Sequence, residues 1–226
     1  MVPSQDVFEQ MAKSLFSEFP VSADLNLNQF QVSVNATPAQ GPPSFAHTHR
    51  VSGIRLTGNE RVLLIQPRGM TFNHLPPYSS WEVFQPEARQ LWERYVKFVK
   101  PEAVTRVALR YINRIEIPEV TFETNDYFHL YPQIPDMIPQ DMSAFFMQIQ
   151  MPQVDLGPDV TAAINFAPVQ PSREHSTSIL LDIDVFALRN LSTSSDEVFN
   201  LLDVIRARKN KLFEACITDR TRKLFK

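Results

Sequence analysis

Across residues 105–117 apolar side chains recur at alternate positions. Val107, Leu109, Tyr111, Ile115 and Ile117 share one side, while Arg106, Arg110, Arg114 and Glu116 share the other. Period two describes a strand with one packed face and one wet face, and a strand this long needs partners before it is stable. The chain supplies them. Residues 50–56 and 61–66 flank Thr57-Gly58-Asn59-Glu60, whose composition suits a hairpin turn. Residues 145–151, 161–166 and 178–186 are further apolar runs of strand length, and residues 30–36 are another candidate.

Two segments carry a helical period instead. The first opens at Ser79-Ser80-Trp81-Glu82 and runs to about Lys100, where Pro101 stops it, with Trp81, Phe84, Ala88, Leu91, Trp92, Tyr95 and Val99 on one stripe. The second opens at Ser194-Ser195-Asp196-Glu197 and runs to about Ile217, with Val198, Leu201, Leu202, Ile205, Leu212, Phe213 and Cys216 aligned. In both, a serine and a glutamate three residues later have the spacing of a capping box. Residues 7–19 fit a short helix, with a strand as the alternative.

Strands interrupted by single helices predict an α+β fold, an antiparallel sheet or sheets with two long amphipathic helices on one face. A doubly wound α/β fold would need a helix after every strand. An apolar strand leading to a Ser-Ser-x-Glu helix occurs twice, at 62–65 and at 179–185, which suggests a weak internal duplication. The expected layout is one compact domain over residues 1–226, divisible into similar halves at about 20–117 and 140–226, joined by a proline-rich insertion at 118–140. Eight prolines fall between Pro118 and Pro171, alongside Tyr127, Phe128, Tyr131, Phe145 and Phe146. Proline blocks regular structure, yet a solvated linker needs no rings, so this stretch should fold down on the body.

Composition narrows the chemistry. With 43% apolar and 21% charged residues the chain can bury a core, and its net charge of −3 demands neither nucleic acid nor an acidic membrane surface. The single cysteine, Cys216, excludes a disulfide framework and reads as a small core residue. No apolar run reaches the length of a membrane span, and the N-terminus lacks the pattern of a secretory signal, so a cytoplasmic protein is expected. Gly-rich phosphate loops, nucleophile elbows and H-E-x-x-H motifs are absent. No catalytic residue, metal site or cofactor is assigned.

Three features remain as candidates. Asp182 and Asp184 lie two apart on a strand and share a face; they suit a cation or acid/base work, or a pairing with Arg106, Arg110 or Arg114. His47 and His49 have the same spacing, half of a metal site that lacks its other ligands. The segment from Arg206 carries eight basic residues (Arg206, Arg208, Lys209, Lys211, Arg220, Arg222, Lys223, Lys226) against Glu214 and Asp219, leaving the rest of the chain acidic. A basic patch of this kind can contact nucleic acid or an acidic partner, or can complement a helix dipole.

The block Arg106-Val-Ala-Leu-Arg110-Tyr111-Ile112-Asn113-Arg114-Ile115 resembles the signature of a sporadically distributed bacterial protein family of unknown function. Tyr78-Ser-Ser-Trp81, Leu181-Asp182-Ile183-Asp184, Tyr131-Pro-Gln-Ile-Pro135 and Phe213-Glu-Ala-Cys-Ile217-Thr218-Asp219 support the likeness, which covers about residues 50–225. The resemblance carries over no catalytic role. Its patchy occurrence implies an accessory protein, of the kind found in defence or toxin–antitoxin gene clusters, that works with the product of a neighbouring gene.

The expectation is therefore a non-enzymatic binding or adaptor protein whose partner is another protein. Its contact residues would be Arg106, Arg110, Arg114, Asp182, Asp184, Tyr127 and Tyr131. Two alternatives stand beside it: an enzyme or nucleotide-ligand binder built on the same arginines and aspartates, and nucleic-acid binding through the basic C-terminal segment.

Overall fold

The computed structural model describes residues 5–33, 44–140, 142 and 144–225, with backbone alone at residue 5 and at 26–33 and 44–52. The elements run α1 (Gln5–Ser14), β1 (Val21–Ser33), β2 (Ser44–Gly58), β3 (Arg61–Gln66), β4 (Gly69–His74), α2 (Trp81–Val99), β5 (Val107–Ile117), α3 (Thr124–Tyr127), β6 (Met147–Pro152), β7 (Val160–Val169), β8 (Thr177–Ala187), α4 (Ser195–Cys216) and α5 (Asp219–Lys223). The fold is α+β. The chain divides into two compact units, one up to Pro101 and one from Glu102.

The first unit is an antiparallel meander in the order β1-β2-β3-β4. Helices α1 and α2 pack on each other, α1 also on β2 and α2 on β4. Their stripes meet the sheet in a core of Phe8, Met11, Leu15, Phe19, Leu56, Leu63, Ile65, Leu91 and Tyr95. The expected hairpin forms: Gly58 pairs with Arg61, and Asn59 and Glu60 turn the chain with φ of 41° and 59°. Positive φ at both central residues is the turn that matches the twist of the strands. Gly58 is required by close approach, since a Cβ there would lie 2.5 Å from the Glu18 carbonyl oxygen. Helix α2 ends on Lys100, which adopts a left-handed φ of 49° before Pro101.

The second unit orders its strands β5-β8-β7-β6, all antiparallel. Strands β6, β7 and β8 form a meander, and β5 returns to flank β8. The segment after β5 does fold down: Tyr127 and Phe128 are buried, Phe128 packs edge-on against Phe166 at 4.9 Å, and Phe145 stacks on the same ring at 5.5 Å.

Several expectations need correction. The boundary falls at 101/102 and not between halves at about 20–117 and 140–226, because β5 hydrogen-bonds along its whole length to β8. Each unit is four strands with a long helix, but α2 follows the edge strand β4 whereas α4 follows the inner strand β8, so the connections differ. The Ser-Ser-x-Glu segments are not equivalent either. The cap is Ser80, the second serine, in α2 but Ser194, the first, in α4, and neither side chain makes the cap bond. Glu197 instead accepts from the Ser192 amide at 3.0 Å. Strand β4 was missed because its polar residues follow the turn at Pro67-Arg68-Gly69. The run expected at 30–36 is a strand from Val21 to Ser33, and its last three residues lie outside the described residues.

Glu60 occupies a left-handed backbone position that glycine adopts without steric cost. Replacing Glu60 by glycine should raise the unfolding free energy by about 0.5–1 kcal/mol, whereas Gly58→Ala should lower the melting temperature by several degrees; thermal melts of the two variants check both signs.

Candidate functional site

Strands β5 and β8 place Arg110 opposite Asp184 and Ile112 opposite Asp182. Opposed residues share a face, so the arginines and aspartates singled out from the sequence lie together on one side of the second sheet. Helix α4 packs against β5 and β8 on the other side, with Val198, Phe199, Ile205 and Cys216 buried. The arginine-bearing side is therefore the face turned away from α4.

Across this outer face one row of side chains is hydrogen-bonded from strand to strand. Gln148 on β6 donates to Asn165 on β7 at 2.7 Å, and Asn165 donates to Asp182 on β8 at 2.9 Å. Arg110 on β5 closes the row with two bonds to Asp182, Nε at 2.8 Å and Nη2 at 2.7 Å. Asp182 is 2% exposed. A carboxylate that far from water requires such compensation, and the bidentate arginine fork is the geometry that supplies most of it.

Arg106 bonds Asp184 at 3.0 Å and lies 4.8 Å over the Phe186 ring. Burial pushes the Asp184 carboxyl upward in pKa despite Arg106 and Arg110 nearby, and its Oδ1 is buried with no hydrogen-bond partner. Arg114 reaches Glu116 at 3.0 Å, Ser178 at 3.2 Å and the Gln170 carbonyl. Burial would raise the pKa of Glu116, but hydrogen bonds from Ser178, Ser172 and Ser176 outweigh it and hold the group at about 2. Glu116 thus ties down the loop between β7 and β8.

The three arginines and two aspartates do not converge on a cavity. They spread along the sheet and are bonded to one another or to neighbouring main chain. A shallow depression of about 120 Å³ lies beyond them, lined by Glu116, Pro118, Arg173, Glu174, His175 and Ser176. Among the described residues no group of three or more His, Cys, Asp or Glu is placed to hold a metal. His47 and His49 lie in β2, and their side chains fall outside the described residues.

The other candidates are corrected. Tyr127 is buried, its hydroxyl donating to Glu119 at 2.7 Å and its ring covered by Arg220 at 4.4 Å, so it offers no contact surface. Tyr131 is half-buried. The arginines of the basic segment past Arg206 are bonded within the unit, Arg208 and Arg220 to carboxylates remote in sequence and Arg222 to near ones. Arg208 bonds Asp155 and Gln153, Arg220 bonds Asp126 and Glu119, and Arg222 bonds Glu214 and Asp219. Lys209 is buried, with its Nζ 3.4 Å from the centre of the Tyr111 ring. Burial, aided by Arg206, lowers its pKa to about 8. Lys211 and Lys223 remain exposed. Cys216 is a buried thiol whose pKa burial pushes up to about 11, as suits a core residue.

Sequence reasoning missed Asn165 and Gln148, the members of the row that cross β7 and β6. The signal was present: Asn165 interrupts an otherwise apolar run and sits at a wet-face position of its strand. The burial of Lys209 also had a signal, since it lies four residues after Ile205 on the apolar stripe.

No protein family, curated protein or solved structure matches the chain. Among the described residues no helix is long and apolar enough to cross a membrane.

Two outcomes are expected. Arg110→Met leaves the Asp182 carboxylate without its counter-charge and should cost on the order of 3 kcal/mol of stability in urea unfolding, with Arg110→Lys restoring only part because an ammonium cannot form the fork. The lowered pKa of Lys209 means that the unfolded chain binds more protons between about pH 8 and 10.5, so this group makes stability rise with pH across that window. Lys209→Met should therefore melt higher than the parent at pH 7, and the gap should close by pH 10.5; a lower melt at pH 7 would mean that the Tyr111 contact outweighs the burial of charge.

Proposed function

We propose that the protein is a non-enzymatic binding or adaptor protein that docks another protein on the outer face of its second sheet. The observation that carries this reading is Ile112, 62% exposed on β5 between the half-exposed side chains of Arg110 and Arg114. An apolar side chain framed by arginines, on a face held in register by a hydrogen-bonded row, has the composition of an interface centre. The shape favours the same reading: the groups sit on an open sheet surface, where a protein can lie, and none of Arg106, Arg110, Arg114, Asp182 and Asp184 lines the depression at Glu116.

The likeness of the Arg106 to Ile115 block to a sporadically distributed bacterial family supports a partner encoded by a neighbouring gene, in an accessory cluster of defence or toxin–antitoxin type. The partner's matching surface would offer carboxylates around an apolar centre.

The test is affinity capture of the tagged full chain from its native host, read by quantitative mass spectrometry. A partner enriched by the parent protein should fall at least tenfold with Ile112→Glu combined with Arg114→Glu. It should persist with Phe16→Glu, an exposed position of the first unit. Equal recovery from all three proteins would overturn the assignment of this face.

A further inference from the structure

The second sheet ends in two unlike edges. Strand β5 carries Arg106, Arg110 and Arg114 along or beside it, and a second β5 laid against it would bring like charges together. Strand β6, Met147-Gln-Ile-Gln-Met-Pro152, has no charged residue and, among the described residues, no strand on its outer side. Charge is the commonest guard on an exposed edge, and β6 lacks it.

The direction of its main-chain groups can be read from the hairpin that follows. The Gln153 amide donates to the Val160 carbonyl at 2.8 Å, in the same register that pairs Pro152 with Thr161. Main-chain bonds to β7 therefore fall on the odd-numbered residues, and the amides and carbonyls of Gln148 and Gln150 point outward. Pro152 falls on the outward set as well, where its missing N–H costs β7 nothing.

Two large apolar side chains flank the strand. Phe146, immediately before it, is 69% exposed, and Val154, just past it, is 75% exposed. Neither side chain belongs to the proposed docking face.

We propose that β6 is a self-association edge, on which two copies of the chain pair antiparallel about a two-fold axis through Ile149. In that register Gln148 of one copy faces Gln150 of the other, and their outward amides and carbonyls bond reciprocally. Phe146 comes opposite Pro152, so its amide meets the carbonyl of a residue that has no donor to offer in return. Its ring covers the proline and reaches toward Val154. Glutamine amides both donate and accept, so the outer face continues across the junction without an unpaired group. Ile149 meets its own copy on the inner face, with Met147 beside Met151. The two four-stranded sheets become one of eight strands, and the contact is isologous, as a closed dimer requires.

Light scattering coupled to size exclusion tests this on the full chain. At about 50 μM the parent should run at twice its 26.0 kDa chain mass. The double variants Gln148→Lys with Gln150→Lys, and Gln148→Glu with Gln150→Glu, alter only exposed side chains. Each should run as a monomer that still melts in one cooperative transition, lowered by loss of the Gln148–Asn165 bond and of the dimer contact, and a mixture of the two should return to the dimer mass, because the register sets position 148 against position 150. A monomeric parent, a dimeric double-lysine variant, or a mixture that stays monomeric would each overturn the proposal.

Discussion

The second unit depends on a carboxylate that its own sheet has buried. Asp182 lies on β8, an inner strand, at 2% exposure. Left alone, that group would cost several kcal/mol, so the sheet holds only where Asn165, opposite it, and Arg110, diagonal to it, reach its carboxylate. A slip of β5 by one residue would turn Arg110 to the inner face, away from Asp182. The bond thus fixes register, and register places Ile112, Arg106 and Arg114 on the exposed face. One ion pair orders the surface as well as the strands.

The same pairing of charge recurs where loops are tied to the body. Arg208 to Asp155, Arg220 to Asp126 and Glu119, and the serines around Glu116 each fasten an irregular segment to an element remote in sequence. Arg208, Arg220 and Arg222, which look like part of a surface field in the linear chain, are individually paired when it folds. Lys209 differs from them, since it meets a ring in place of a carboxylate and carries its charge into the packed side of α4.

The two proposed contacts use different physics on one sheet. The outer face offers arginines and an apolar side chain, which select a partner of complementary chemistry. The β6 edge offers main-chain donors and acceptors with neutral amides beside them, which favour a copy of the same strand. Pairing at that edge would set two outer faces side by side and let the dimer meet its partner twice, with the gain in avidity that two linked contacts bring.

Local chemistry was enough to place the helices α1, α2 and α4, the hairpin at Asn59 and Glu60, and the strands β5 to β8, because periodicity and turn composition act within a few residues. The sharing of a face by Arg110 and Asp182 was legible for the same reason, as alternation along each strand. What folding alone decided was which strand lies beside which. Pairing of β5 with β8 moved the unit boundary, pairing of β6, β7 and β8 recruited Asn165 and Gln148 into the row, and the packing of α3 on α5 buried Tyr127 and gave Arg220 its carboxylates. Those outcomes depend on contacts between residues tens of positions apart, and such contacts are fixed by how buried faces and charges are best satisfied together, which no local pattern records.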